Sequence, residues 1–444
     1  MDPEVWSLAM FAVAVFCLLL GYPVAFTLGA VAMLFGGIFL GLDFFDLLPM
    51  RIWGIMTNFT LLAVPLFVYM GVILEKSGIA EDLLETMGLL FGGIRGGLAV
   101  SIVIVGAMLA ATTGVVGATV VTMGIIALPA MLKHGYRPQL ATGTIAASGT
   151  LGQIIPPSIV LILLGDVIGV PVGQLFIAAV TPGVLLIVLF IIYILYIAWR
   201  HPAMAPAVDR ARLAGQASQS LPGRVLKSLL PPLSLVVAVL GSIFFGVASP
   251  TESAAIGALG AMTLAALHKR LSLAHLQEAM LQTMRLTSMV FVILIGATAF
   301  GLVFRGMGGD VLVEDMLMHL PGGEWGFLTF SMLLIFVLGF FLDFLEICFI
   351  VVPILAPIAD SAGINLLWFA VLIAMNLQTS FLTPPFGFSL FYLKATAPPD
   401  IRITQIYRGI VPFVLIQVVA LALLTGFPAV TLWLPGLMDK LQGF

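Results

Sequence analysis

Apolar stretches recur along the whole chain, separated by short breaks rich in glycine, proline or polar side chains. The longest cover 8–20, 24–42, 98–111, 184–198, 234–247, 289–303 and 410–424. With their flanks, several approach the roughly 20 residues an α-helix needs to cross a bilayer. The pattern predicts an all-α polytopic membrane protein. The repetition is too regular for a cleaved leader, and no basic segment precedes the first run.

Composition supports that reading. Of 444 residues, 61% are hydrophobic and 9% charged, against about 25% charged in soluble domains. The longest polar stretch, about 200–227, is a linker too short for a nucleotide-binding module, and no GxxxxGK[ST] run occurs. No nucleotide, organic cofactor or nucleic-acid partner is expected, so uphill movement would not draw directly on ATP. Cys17 and Cys348 lie far apart in apolar runs and imply no disulfide framework. The histidines fall in loops or at segment ends, and neither HExxH nor CxxC appears. An enzyme is therefore not indicated.

An internal repeat organises the chain. The pair Pro156-Pro157, in "GTLGQIIPPS", is matched 228 positions later by Pro384-Pro385, in "NLQTSFLTPPFGFSLF". The same offset carries Pro129 onto Pro357 and Pro171 onto Pro399, and an offset of 230 carries Pro182 onto Pro412. This predicts two homologous halves, 1–199 and 228–444, joined by the linker 200–227. Basic residues gather on the cytoplasmic side of membrane proteins. Arg200, Arg210, Arg212, Arg224 and Lys227 place the linker there. Arg95 and the cluster Lys133–Arg137 then bracket a segment that enters and leaves on one side, a re-entrant hairpin over 96–132 with its tip near Thr112–Thr119. The segment 139–169 crosses as a broken helix. In the second half, "HKR" at His268–Arg270 is inside and the acidic loop Asp310–Glu324 outside. A hairpin over 325–359 and a broken helix over 366–397 follow. The halves then have inverted topology, an arrangement used by secondary transporters. Two short full spans in place of each hairpin are the alternative.

The hairpin tips and proline pairs break helix continuity at membrane depth. Such backbone is tolerated only inside protein or against a polar cavity. Carbonyls ending one half-helix suit a cation, and N–H groups opening the next suit an anion. In the first half the candidate cation ligands are Thr112, Thr113, Thr119, Ser148, Gly149, Thr150, Gly152 and Pro156. None is acidic, which suits a monovalent ion better than Ca²⁺ and makes sodium the natural candidate. The second half offers Gly339, Asp343, Asn376, Gln378, Thr379 and Thr383. Thr113, Ser148, Ser158, Glu346 and Asn376 are expected to line a substrate cavity. The opposing reading of each lone hydroxyl is a bond back to its own helix. Asp343 and Glu346 form a carboxylate pair in an apolar run, a functional site by default that would bind sodium, take a proton or form part of a gate; snorkelling, or a protein-buried pair with one carboxyl protonated, is the alternative. Asp166 is a weaker candidate, and Arg285 and Arg305 read as flanking residues.

The run Gly117–Asp166, with "AASGTLGQIIPPS" at its core, resembles the large, DctM-type membrane subunit of tripartite ATP-independent periplasmic (TRAP) transporters, as does Asn376–Lys394. The resemblance covers nearly the whole chain. Where many relatives carry a serine-rich first tip, this chain has "TTGVVGAT", and "GFFLDFLEI" is similar to the branch associated with 2-oxoacids and aromatic acids. The resemblance implies sodium-coupled uptake of an organic anion, with two sodium sites, by an elevator movement in a bacterial or archaeal inner membrane. It also implies a periplasmic binding protein and a separate small membrane subunit of about four helices. A stand-alone sodium–carboxylate symporter of related fold is the alternative.

Overall fold

The computed structural model describes residues 3–114, 116–208 and 221–442. Among these the regular structure is helical, with no strand. The first half comprises α1 (Pro3–Leu19), α2 (Val24–Phe39), α3 (Leu48–Met56), α4 (Ala63–Lys76) and α5 (Ile79–Phe91). It continues through α6 (Gly97–Thr113), α7 (Val116–Lys133), α8 (Pro138–Thr150), α9 (Ile159–Ile168) and α10 (Val172–Arg200). The second half comprises α11 (Leu221–Ser228), α12 (Leu230–Phe244), α13 (Pro250–Leu267), α14 (Leu273–Gly306) and α15 (Gly309–Met318). After these come α16 (Glu324–Leu338) and α17 (Phe344–Ser361), the latter with a π turn at Ile347–Val351. α18 (Leu366–Leu382), α19 (Phe388–Thr396), α20 (Ile403–Gly426) and α21 (Pro428–Gln442) complete the chain. Five of the described helices are long and apolar enough to cross a membrane, and a bent stretch joining 42–56 to 60–76 at 54° makes a sixth candidate.

Local chemistry sets the ends. Pro138 opens α8, where its missing N–H costs nothing. Asn365 accepts from the Trp368 N–H to cap α18. Ser249 and Glu252 form a capping box at α13, and the Ser249 hydrogen bonds hold the Glu252 carboxyl below its ordinary pKa.

Three stretches depart from the sequence reading. The expected acidic loop 310–324 is helical over Gly309–Met318, because Asp310 favours a helix N-terminus and Gly308, at φ +80°, supplies the turn before it. α11 occupies the end of the expected linker, of which 209–220 lie outside the described residues. α5, unassigned from sequence, buries Ile79, Leu83 and Met87 and carries Glu81, Asp82 and Glu85 elsewhere on its surface, a helical period over too short a run to span.

The core is built around α8 and α18. Every residue from Leu140 to Thr150 and from Trp368 to Leu382 is buried. α6, α7 and α20 pack on α8, and α16 and α20 on α18. Around them α2 pairs with α14 and α4 with α13. The outer helices present Phe16, Phe26, Ile38, Ile192, Val237 and Val419 to the surroundings, as a lipid-facing surface requires. Element starts keep the proline offset: Val116 and Phe344, opening α7 and α17, stand 228 positions apart, as do Pro138 and Leu366, opening α8 and α18.

Candidate binding site at the helix breaks

Buried polar side chains collect on the two central broken helices: Thr142, Thr144, Ser148, Thr150, Gln153 and Ser158 on one, Asn376, Gln378, Thr379, Ser380 and Ser389 on the other. At both breaks the second proline supplies no N–H to the carbonyl four residues before it. These orphaned carbonyls belong to Gln153 and Phe381. A downstream serine hydroxyl satisfies each: Ser158 Oγ donates to Gln153 O at 2.9 Å, and Ser389 Oγ to Phe381 O at 2.8 Å. Both Pro-Pro peptides are cis.

Each helix pair grips the broken helix of its own half. α6 and α7 meet at the turn after Thr113, where Gly114 is left-handed at φ +61° and lies against Ile159, the first residue of α9. Gly149 lets α7 approach so closely that a Cβ there would overlap the Val120 side chain. Gly152 faces Ala110 of α6. In the second half, a Cβ on Gly339 would overlap the Ser380 hydroxyl. Asn376 Nδ2 donates to Met332 O of α16 at 2.6 Å, and the Phe341 and Phe386 rings lie 5.1 Å apart.

The structure thus gathers Ser148, Gly149, Thr150 and Gly152 under the first helix pair, with Pro156 buried beside them. Thr119 is buried in the first turn of α7 rather than at the tip. The side chains of Thr112 and Thr113 lie outside what the structure describes. Hydroxyl protons are parked on helix carbonyls: Ser148 on Ile145, Thr150 on Ala147, Thr379 on Met375 and Thr383 on Thr379. Both readings of these hydroxyls hold together, since an oxygen that donates its proton keeps lone pairs for a cation.

Asp343 and Glu346 have a structural task. Asp343 Oδ1 accepts from the Phe344 N–H at 2.7 Å, and Glu346 Oε2 accepts from the Asp343 N–H at 3.0 Å, so together they cap α17. None of the described hydrogen bonds of Asp343 reaches Asn376, Gln378, Thr379 or Thr383. Asp343 also faces a cavity of about 460 Å³ between the starts of α7 and α17 on one side and α4 and α14 on the other. Its other polar walls are Glu75, Gln282 and Tyr392, amid residues such as Val64, Ile159 and Phe381. Of the expected cavity residues, Ser148, Ser158, Glu346 and Asn376 are not among its walls; each is committed to the helix contacts above.

Sequence reasoning missed Glu75, which accepts from Thr122 Oγ1 at 3.1 Å. Its place beside Lys76 at the end of an apolar run marks it as a flank. It also passed over Gln153 inside the motif itself. Gln153 and Gln378 are fully buried, and among the described residues neither amide has a protein partner at either atom. At the outer end of α9, Asp166 accepts from Asn58 Nδ2 at 2.6 Å.

Two interrupted helices, polar at their breaks and buried in an apolar multi-pass bundle, define a membrane transport protein. The chain belongs to the family described as tripartite ATP-independent periplasmic transporter, DctM component, which it matches over residues 11–430. It is 32% identical to the C4-dicarboxylate TRAP transporter large permease protein DctM of Pseudomonas aeruginosa, over 87% of this chain and 89% of that one. It is 30% identical to the sialic acid large permease SiaM of Vibrio cholerae, over 94% and 95%. The ectoine/5-hydroxyectoine large permease UehC of Ruegeria pomeroyi is 31% identical over 84% and 86%. Among solved structures, the Alcanivorax borkumensis YdaH transporter shares the fold at a TM-score of 0.63 and 16% identity, over 97% of this chain and all of that one. The chain is a multi-pass inner-membrane permease, not an enzyme.

Proposed function

We propose that this permease takes up a small organic carboxylate in symport with sodium, the substrate reaching it from a periplasmic binding protein and the complex including a separate small membrane subunit. The relatives' named substrates, C4-dicarboxylates, sialic acid and ectoines, are all carboxylic acids. The observation that carries the reading is the doubled grip of a helix pair on a broken helix, Gly149 on Val120 and Gly339 on Ser380. Each grip surrounds carbonyl, hydroxyl and amide oxygens that suit a monovalent cation. Sodium travels here as a co-substrate, held by Thr150, Gly152 and their neighbours in one half and by Gln378, Thr379 and Thr383 in the other.

The two halves act as inverted repeats, and the helix pairs with their broken helices form one unit that slides against α2, α4, α13 and α14. The contact between those bodies is mostly apolar. Its polar bridges include Thr122 to Glu75, Asn58 to Asp166 and a 3.4 Å contact from Arg305 Nη2 to Pro353 O. Few bonds need breaking for such a slide. One net positive charge crossing 100 mV gains about 2.3 kcal/mol. Two sodium ions with a monoanion would thus support more than about tenfold accumulation from voltage alone.

The test is uptake in proteoliposomes containing both membrane subunits, with purified binding protein outside. Thr150→Ala and Thr379→Ala should each shift sodium activation to higher concentration without loss of protein. Unchanged sodium activation in both would remove the site assignment. Uptake by this chain alone, without the binding protein, would replace the tripartite reading with a stand-alone symporter.

A further inference from the structure

A second cavity, of about 420 Å³, follows the first along α14. The first touches α14 at Gln282–Val290 and the second at Leu294–Gly306, so their centres stand roughly 20 Å apart at 1.5 Å per residue. The second lies between α3, α14 and α17, at the end that the charge pattern assigns to the outside. Arg51 of α3 and Arg305 of α14 both line it, with Asp310 on the same wall. Neither arginine has a carboxylate within the 4.0 Å of an ion pair among the described residues. Among the described residues Arg305 donates to the Pro353 carbonyl alone, at 3.4 Å. Guanidinium groups keep their charge at any physiological pH. With Asp310 as the one carboxylate in the wall, the two of them leave the lining with a net positive charge. Apart from Thr298, whose hydroxyl donates to the Leu294 carbonyl, the remaining wall is apolar and aromatic, with Phe44, Phe300, Phe304 and Phe349.

We propose that this cavity is an outer vestibule that binds an organic acid with an apolar body, its carboxylate between Arg51 and Arg305 and its body against the phenylalanine rings. The oxyanion fits guanidinium donors in pairs, and the volume suits a small ligand. The site is separate from the central cavity and serves as a station on the way to it. That direction rests on the uptake reading; binding itself does not.

The experiment is equilibrium binding of phenylacetate to the complex of both membrane subunits in phosphatidylcholine nanodiscs, in sodium-free buffer so that sodium-linked binding is absent. Phenylacetate should bind at least about tenfold more tightly than acetate or benzyl alcohol, since each lacks one half of the recognised chemistry. R51Q/R305Q should weaken it about tenfold or more, the loss expected of charge-assisted hydrogen bonds. R51K/R305K, which keeps both charges, should retain most of the affinity and guards against a folding defect. Equal affinity in R51Q/R305Q overturns the proposal. So does displacement of phenylacetate by phosphatidylglycerol in the disc, which would mark a lipid-headgroup site. Loss of sodium coupling in the uptake assay would leave this result standing, so the two readings fail separately.

Discussion

At the first break Pro156, Pro157 and Ser158 are all buried, whereas at the second Pro385 and Phe386 stand exposed. The repair of the orphaned carbonyl is the same in kind and different in reach. Ser158 lies five residues beyond Gln153, while Ser389 lies eight beyond Phe381. Phe386 occupies the place that the 228-residue offset would give a second Ser158. The grips differ as well. Both tips carry a glycine, Gly114 and Gly339, but the second is also roofed by Phe336, Phe340 and Phe341, with rings 4.9–6.4 Å apart. One half thus holds its break in a tight polar interior and the other under an aromatic cover. The two breaks share the backbone problem and its solution, while their surroundings differ.

The comparison can be broken most forcefully at the glycines. Gly149→Leu must displace Val120 in a wholly buried contact, and overpacking of this kind costs about 1–3 kcal/mol or more. Loss of folded protein, read as yield and thermal midpoint, is expected. Gly339→Ala meets the Ser380 side chain and, at 3.2 Å, the Ile335 carbonyl oxygen, but it adds only a methyl group and should lower the midpoint less. Equal losses would show that both breaks are equally tight.

Next come the two buried amides. Replacing Gln153 or Gln378 with Met removes polar atoms that lack a protein partner among the described residues and should stabilise the protein by about 1–3 kcal/mol. On the proposed reading, in which such oxygens serve the transported ions, uptake should fall. A lower midpoint in both variants would mean the amides are satisfied in the membrane, and the ligand reading would go with it. Ser158→Ala and Ser389→Ala should each cost about 1 kcal/mol. The first should cost more, because the Gln153 carbonyl has buried neighbours on every side. The smallest effect is expected for Tyr407→Phe, which removes a 2.9 Å bond to Pro385 O at the exposed break. A change of about 0.5 kcal/mol or less in thermal unfolding would fit.

Much of this was legible in the chain. Proline spacing located both breaks, because proline's missing N–H acts on backbone whatever surrounds it. The apolar runs located the membrane helices. The short amphipathic α5 and the acidic α15 escaped, because their helical period is brief and their polar residues imitate a loop. The cavity walls escaped for another reason. Glu75, Gln282 and Tyr392 come from three distant elements, and nothing local to any of them announces that they will face Asp343. The reading of Asp343 and Glu346 as an intramembrane carboxylate pair did not include their capping role, which the spacing of three residues before an apolar helix would have allowed.

The bend between α3 and α4 has a mechanical consequence. In the second half the corresponding stretch is one uninterrupted helix, α14. In the first it turns by 54°, leaving α3 as a short side arm with Met50 and Trp53 outward, the latter 70% exposed. Tryptophan settles at the boundary between lipid tails and headgroups. An arm seated there behaves like an outrigger on a hull. When one body pushes past another through a fluid sheet, the recoil would tip the second body rather than complete the stroke. In the sliding movement proposed above, a lateral arm at fixed depth would oppose that tipping, so that the stroke becomes displacement of the cargo.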